Sequence, residues 1–195
     1  MTDGIPRANP GPRCIALVGP YLTGKTTLLE SILHICGATS RKGSVAEGST
    51  VGDTSPEARA HNMSVEANIA TCGYLGDRFT FIDCPGSIEF MQESLNVLAG
   101  VDAAIVVCEP ETSKILALQP FLRHLQTRKI PHLLFVNKID QAKGQVRELL
   151  ASLQPASALP LVLRQVPIRK DGIVRGFIDL ALERARVRAE IGQLV

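Results

Sequence analysis

Short apolar runs alternate with helix-like periodic stretches from residue 13 to about residue 153. The runs at 13–18, 65–73, 78–83, 101–108 and 132–136 have the length and aliphatic content of buried strands. Between them, 25–36, 88–99, 112–128 and 141–153 carry apolar residues three and four apart, which predicts helices with one core-facing stripe. Strands alternating with helices imply an α/β fold, a mainly parallel sheet in a three-layer arrangement. Tyr74-Leu-Gly-Asp77 is a turn-like tetrad, so the second and third strands are expected to form an antiparallel hairpin. Residues 37–64 are rich in Gly, Ser and Thr with little periodicity, and a loop this long inside a domain is usually functional or disordered.

After Pro155 the rhythm changes. Residues 159–168 and 173–180 read as two more strands around Arg169-Lys-Asp-Gly172. Residues 180–194 read as a terminal amphipathic helix whose Arg184, Arg186 and Arg188 form a solvated face. The organisation expected is a flexible tail over 1–12, a core over 13–155 and a second, smaller unit over 156–195.

Composition narrows the chemistry. The 195 residues carry 21 basic and 19 acidic side chains, too even a balance for electrostatic capture of nucleic acid by this segment. Six Phe, two Tyr and no Trp leave little for a base-stacking platform, so no direct nucleic-acid site is expected. Cys14, Cys36, Cys72, Cys84 and Cys108 form no C-x-x-C pair and lie mostly in apolar runs, as reduced core cysteines do. No run reaches the length of a membrane span and the N-terminus lacks a signal-peptide core, so a soluble, cytoplasmic protein with no membrane partner is expected.

Three motifs then carry the function. Gly19-Pro20-Tyr21-Leu22-Thr23-Gly24-Lys25-Thr26 has the spacing G-x-x-x-x-G-K-[ST] between a strand and a helix. Such a loop points successive N–H groups at one anion, with Lys25 reaching the outer phosphates and the Thr26 hydroxyl placed for Mg²⁺. Thr27 opens the helix whose N-terminus faces those phosphates. Asp83 ends the third strand and is followed by Cys84-Pro85-Gly86. An acid there is placed to hold Mg²⁺ through water, and the Gly86 N–H to sense a γ-phosphate. Read alone, that segment is also a common strand-end turn. Asn137-Lys138-Ile139-Asp140 follows the fifth strand. A fixed Asp140 carboxylate accepts two hydrogen bonds from guanine N1–H and N2, whereas adenine leaves it unpaired. Lys138 lays its stem along the base, and Asn137 ties this loop to the phosphate loop. GTP and GDP with Mg²⁺ are the expected ligands.

In this order the motifs resemble those of translational GTPases, and the surrounding wording is most similar to the N-terminal part of elongation factor G. The resemblance covers about residues 13–185 and implies a P-loop NTPase G domain. It implies that Gly52-Asp53-Thr54 and His61-Asn-Met-Ser-Val65 belong to a first switch, with Ser64 in the place of a Mg²⁺-ligating Thr. Pro167-Ile168 and Gly176-Phe-Ile-Asp-Leu180 are similar to the start of a subdomain inserted before the last GTPase strand. The ribosome is the partner the resemblance implies.

Two departures bear on turnover. Leu22 stands where the family has an Asp associated with a monovalent cation, and leucine cannot ligate one. Ser87 stands where the family has a water-positioning His, and a short hydroxyl replaces an imidazole poorly. His61 and His124 are expected to be surface or loop residues rather than substitutes. Ala156-Ser157-Ala158 looks like the family's guanine-contacting Ser-Ala loop but follows a helical pattern, so it is read as a chance match. The chain is then expected to end inside the insert, as a portion of a longer protein. Two functions stay open, a slow Mg²⁺-dependent GTPase and a non-hydrolysing GTP-binding module that docks a partner. An ATP-using kinase would leave Asn137-Lys-Ile-Asp140 unexplained.

Overall fold

The computed structural model describes residues 13–52, 66–142 and 144–187. At its centre lies β1 (Arg13–Val18), paired in parallel with β3 (Asp77–Asp83) on one side and β4 (Ala103–Cys108) on the other. β2 (Asn68–Tyr74) adds antiparallel to β3, and β5 (His132–Val136) adds parallel to β4, giving the order β2-β3-β1-β4-β5. The hairpin expected at Tyr74–Asp77 is present. Its two central residues, Leu75 (φ 51°) and Gly76 (φ 85°), both have the positive φ that matches the twist of the flanking strands.

Side chains alternate across β1, and this sorts the core into two layers. Ala16 and Val18 point into a cluster with Val106, Leu98, Leu118, Leu122, Leu125 and Leu153. Leu17 points the other way, onto Leu29, Leu33 and Phe81. The first layer is built with α2 (Met91–Leu98), α3 (Gln119–Thr127) and α4 (Val146–Leu153), and the second with α1 (Lys25–Ile35). The expected three layers are therefore present. All five cysteines are free thiols, and burial pushes Cys84 and Cys108 up to about 12, so neither is a thiolate at neutral pH.

Three helices differ in extent from the periodicity. Residues 88–90 and 112–118 are 3₁₀ turns leading into α2 and α3. Pro120 falls in the first turn of α3, where its missing N–H leaves no bond unmade. α4 starts at Val146 instead of 141: Gly144 (φ 87°) breaks the pattern, and the Glu148 carboxylate accepts from the Gln145 N–H at 3.1 Å to start the helix.

A second, antiparallel sheet holds β6 (Gln165–Lys170), β7 (Ile173–Asp179) and β8 (Arg184–Val187). β6 begins later than residue 159, after the break at Pro160. The helix expected over 180–194 is overturned within the described residues, because 184–187 form β8. Two local features decide this. The Asp179 carboxylate accepts from the N–H groups of Ala181 (3.1 Å) and Leu182 (3.0 Å), which turns the chain back beside β7. Gly176 then leaves room for the Arg186 carbonyl, which any Cβ there would overlap. Arg184 and Arg186 are exposed, so their charges are solvated on a strand rather than on a helix. Among the described residues no helix is long and apolar enough to cross a membrane.

Candidate functional site

The three motifs leave the carboxyl ends of β1, β3 and β5, the edge where ligands bind in open parallel sheets. Gly19 (φ 142°) lies so close to β4 that any Cβ would overlap the Val107 carbonyl oxygen. Gly24 (φ 89°) caps α1 from the left-handed region, as the tight curl of the loop requires. Thr23 is buried and its hydroxyl donates to the Pro20 carbonyl at 2.9 Å. Tyr21 and Leu22 stand exposed at the loop tip, and Thr27 is exposed on the first turn of α1.

Lys25 is buried, and its Nζ donates to the carbonyls of Gly19 (3.1 Å) and Pro20 (3.0 Å). Burial lowers its pKa, with the Asp83 charge acting the other way. Gly86 packs directly over this ammonium: a Cβ there would overlap Nζ and lie 2.9 Å from the Pro20 carbonyl oxygen. The loop, the Lys25 head and the backbone after β3 thus converge on one point. Beside it the Thr26 hydroxyl donates to Asp83 Oδ2 at 2.6 Å, and Asp83 is buried. A hydroxyl and a carboxylate are hard oxygen donors, which fits Mg²⁺. No cluster of three or more His, Cys, Asp or Glu able to hold a metal exists among the described residues. Ser64 and His61 lie outside the described residues.

The base-side loop is tied to the phosphate loop by two side chains. Asn137 donates Nδ2 to the Thr23 carbonyl at 2.8 Å, and Lys138 donates Nζ to the Leu22 carbonyl at 2.9 Å. Asp140 stands exposed on the 3₁₀ turn Ile139–Gln141 that follows. One residue here escaped the reading of motifs. Glu109, the first residue after β4, is buried and forms an ion pair with Lys138, while Lys114 bonds its other oxygen at 2.6 Å. Burial raises the Glu109 pKa, but the two lysines outweigh it and hold the carboxyl below its ordinary value. Glu109 sits one residue past the end of β4 and belongs to no motif, so residue pattern alone does not single it out.

Other placements refine the expectations. Ser87 caps the 3₁₀ turn at 88–90, its hydroxyl accepting from the Glu89 N–H at 3.4 Å. His124 is not on a loop; it is half-buried on α3, where burial lowers its pKa. Ser157 accepts from Gln126 Nε2 at 2.8 Å and donates to the Leu159 carbonyl at 2.8 Å, a packing role. Glu30, fully buried on α1, accepts from the N–H groups of Gly43 (3.0 Å) and Val51 (2.6 Å) and so anchors the long loop.

Leu22 carries a measurable consequence. It holds φ 62° while exposed, a conformation that asparagine tolerates better than leucine. Leu22→Asn is therefore expected to stabilise the fold by about 0.5–1 kcal/mol, read as a higher urea midpoint at unchanged slope.

Comparison with known proteins agrees with this geometry. The family described as the elongation factor Tu GTP binding domain matches residues 12–177. An elongation factor G-like protein of Synechocystis sp. is 49% identical over 173 residues, covering 89% of this chain and 26% of that protein. Elongation factor G 2 of Streptomyces coelicolor is 33% identical over 185 residues, covering 91% of this chain and 26% of its own length. A crystal structure from Thermus thermophilus superposes with a TM-score of 0.76 at 29% identity, over 93% of this chain and 29% of that one. The chain thus spans about a quarter of the length of these relatives. With most of its length matched in sequence and in fold, the chain belongs to the elongation factor Tu GTP-binding domain family, as a G-domain portion of the elongation-factor-G-like kind.

Proposed function

We propose that this chain binds GTP and GDP with Mg²⁺, hydrolyses GTP slowly, and serves as the nucleotide switch of a translation factor that works with the ribosome. One observation carries the reading. Asn137 and Lys138 are hydrogen-bonded to the carbonyls of Thr23 and Leu22, so base-side and phosphate-side loops form one frame with the Thr26–Asp83 pair at its far end. In this frame the N–H groups of 19–26 and the Lys25 ammonium bind the β- and γ-phosphates. Thr26 and Ser64 ligate Mg²⁺, and Asp83 acts through water. Mg²⁺, when bound, supplies neutralisation of charge on the phosphate oxygens. Gly86 offers its N–H to the γ-phosphate, and Asp140 accepts from guanine.

The switch proposed is the segment 40–66 together with 83–95, ordered by the γ-phosphate and released after its loss. Glu93 on α2 accepts from the N–H of Ala67, the residue that follows the first part, at 2.9 Å. Displacement of fluorescent GDP tests the ligand. GTP is expected to compete at least about 10²-fold more strongly than ATP, and equal competition by ATP would sink the guanine assignment.

The second reading, a module that holds GTP without cleaving it, is favoured by Ser87. Its hydroxyl is engaged in capping a turn, and no imidazole stands at that position.

A further inference from the structure

The turn that carries Asp140 is clipped from outside by a residue of the second sheet. Arg169, half-buried on β6, donates Nη1 to the Ala142 carbonyl at 2.8 Å and Nη2 to the Ile139 carbonyl at 2.7 Å. These two carbonyls lie on either side of Asp140 in the chain. A planar guanidinium making two bonds fixes the rotation of a turn as well as its position. The β6–β7 ladder slips its register between Ile168 and Arg169, a bulge of the kind that re-aims a side chain.

A cleft of about 160 Å³, lined by Pro110, Ile139, Ala142, Leu149 and Arg169, separates the turn from α4. The residue before the turn, Lys138, holds φ 53°, a conformation that persists only where its surroundings enforce it. Asn137 and Lys138 hold the inner side of this loop, and Arg169 holds the outer side.

We infer that Arg169 is a positioning residue for the Asp140 carboxylate, so that base discrimination depends on the docking of the second sheet against the Ile139–Ala142 turn. The inference rests on the guanine reading proposed above. Without the clip, Asp140 samples more orientations, and a two-bond contact loses more than a one-bond contact. Inosine keeps N1–H but lacks the 2-amino group, so the GDP-over-IDP affinity ratio reports on Asp140 geometry. A merely structural loss lowers both affinities alike and leaves the ratio unchanged.

Binding of GDP and IDP to the full chain and to R169A and R169K, alongside thermal melts by circular dichroism, tests this. In R169A the GDP dissociation constant is expected to rise about tenfold and the GDP-over-IDP ratio to fall about threefold or more. R169K, whose single ammonium reaches one carbonyl, is expected to fall between. An unchanged ratio in folded R169A overturns the inference. If R169A does not fold, R169K decides on the same ratio, a fall supporting and no change overturning. A wild-type chain with no preference for guanine over adenine overturns the guanine reading and this inference with it. A wild type that prefers guanine, with an unchanged ratio in the variants, overturns the inference alone.

Discussion

Asp140→Asn is expected to move the binding preference from guanine to xanthine nucleotides. The Asp140 carboxylate is acceptor-only and faces two donors on guanine, N1–H and the 2-amino group. Asparagine presents one acceptor and one NH₂ donor, so a donor meets the guanine amino group. Xanthine keeps N1–H and replaces the amino group with a carbonyl, which accepts from that NH₂. Losing the bond from the amino group, setting a donor against it and weakening the N1–H bond to one with a neutral acceptor together cost about 3–4 kcal/mol, which lowers GDP affinity about 10²–10³-fold. XDP is expected to gain by a similar factor. Because Asp140 is exposed on the turn, the change leaves core packing untouched. Displacement of fluorescent GDP and fluorescent XDP, read on both proteins, checks the swap. An equal loss for both nucleotides would show that Asp140 is not opposite the base edge.

The same side chain shows what periodicity and spacing make legible. The strand–loop–helix around Gly19–Thr26 and the acid ending β3 follow from local pattern, since a buried strand leaves its C-terminal residue at the ligand edge. The Asn137 tie to the phosphate loop was also readable, because the motif needs it. Glu109 and Arg169 were not. Each acts through a partner distant in sequence, and Arg169 makes its two contacts with backbone carbonyls, which leave no trace in residue identity. The helix expected after Leu180 failed for a related reason. Its apolar spacing suited a helix, yet the Asp179 turn and the room at Gly176 favoured a third strand, and the short Arg-Ala-Arg-Val run already alternates with period two. α4 began late because one glycine with positive φ outweighs several residues of good spacing.

Both side chains that depart from the family pattern sit in settled local roles. Leu22 holds a left-handed backbone at the loop tip while its carbonyl accepts from Lys138. The backbone carbonyl at position 22 thus holds the base-side lysine whatever the side chain there. Ser87 caps a turn through a long 3.4 Å bond. A bond of that length contributes little, so the position is free to be changed at small cost in stability.

Ser87→His is accordingly expected to raise single-turnover GTP hydrolysis by about 10²-fold while changing GDP affinity by less than about threefold. Position 87 follows Gly86, whose backbone lies against the Lys25 ammonium and the Pro20 carbonyl. A side chain leaving the backbone there starts next to the outer-phosphate end of the loop. Serine ends one atom beyond Cβ and has its hydroxyl turned toward the Glu89 N–H. An imidazole extends further and offers a ring nitrogen to hold and orient a water for in-line attack, a contribution of about 10²–10⁴-fold in proton-transfer chemistry. Binding is expected to hold because Lys25, Thr26 and Asp140 are untouched. Rapid-quench assays with GTP bound in advance separate this step from nucleotide release. An unchanged rate would mean that Ser87 is not what limits turnover and that another group, or a partner, positions the water. A rise in rate with unchanged affinity would show that the frame around Lys25 and Asp83 still stabilises the transferring phosphoryl group and lacks only an oriented water.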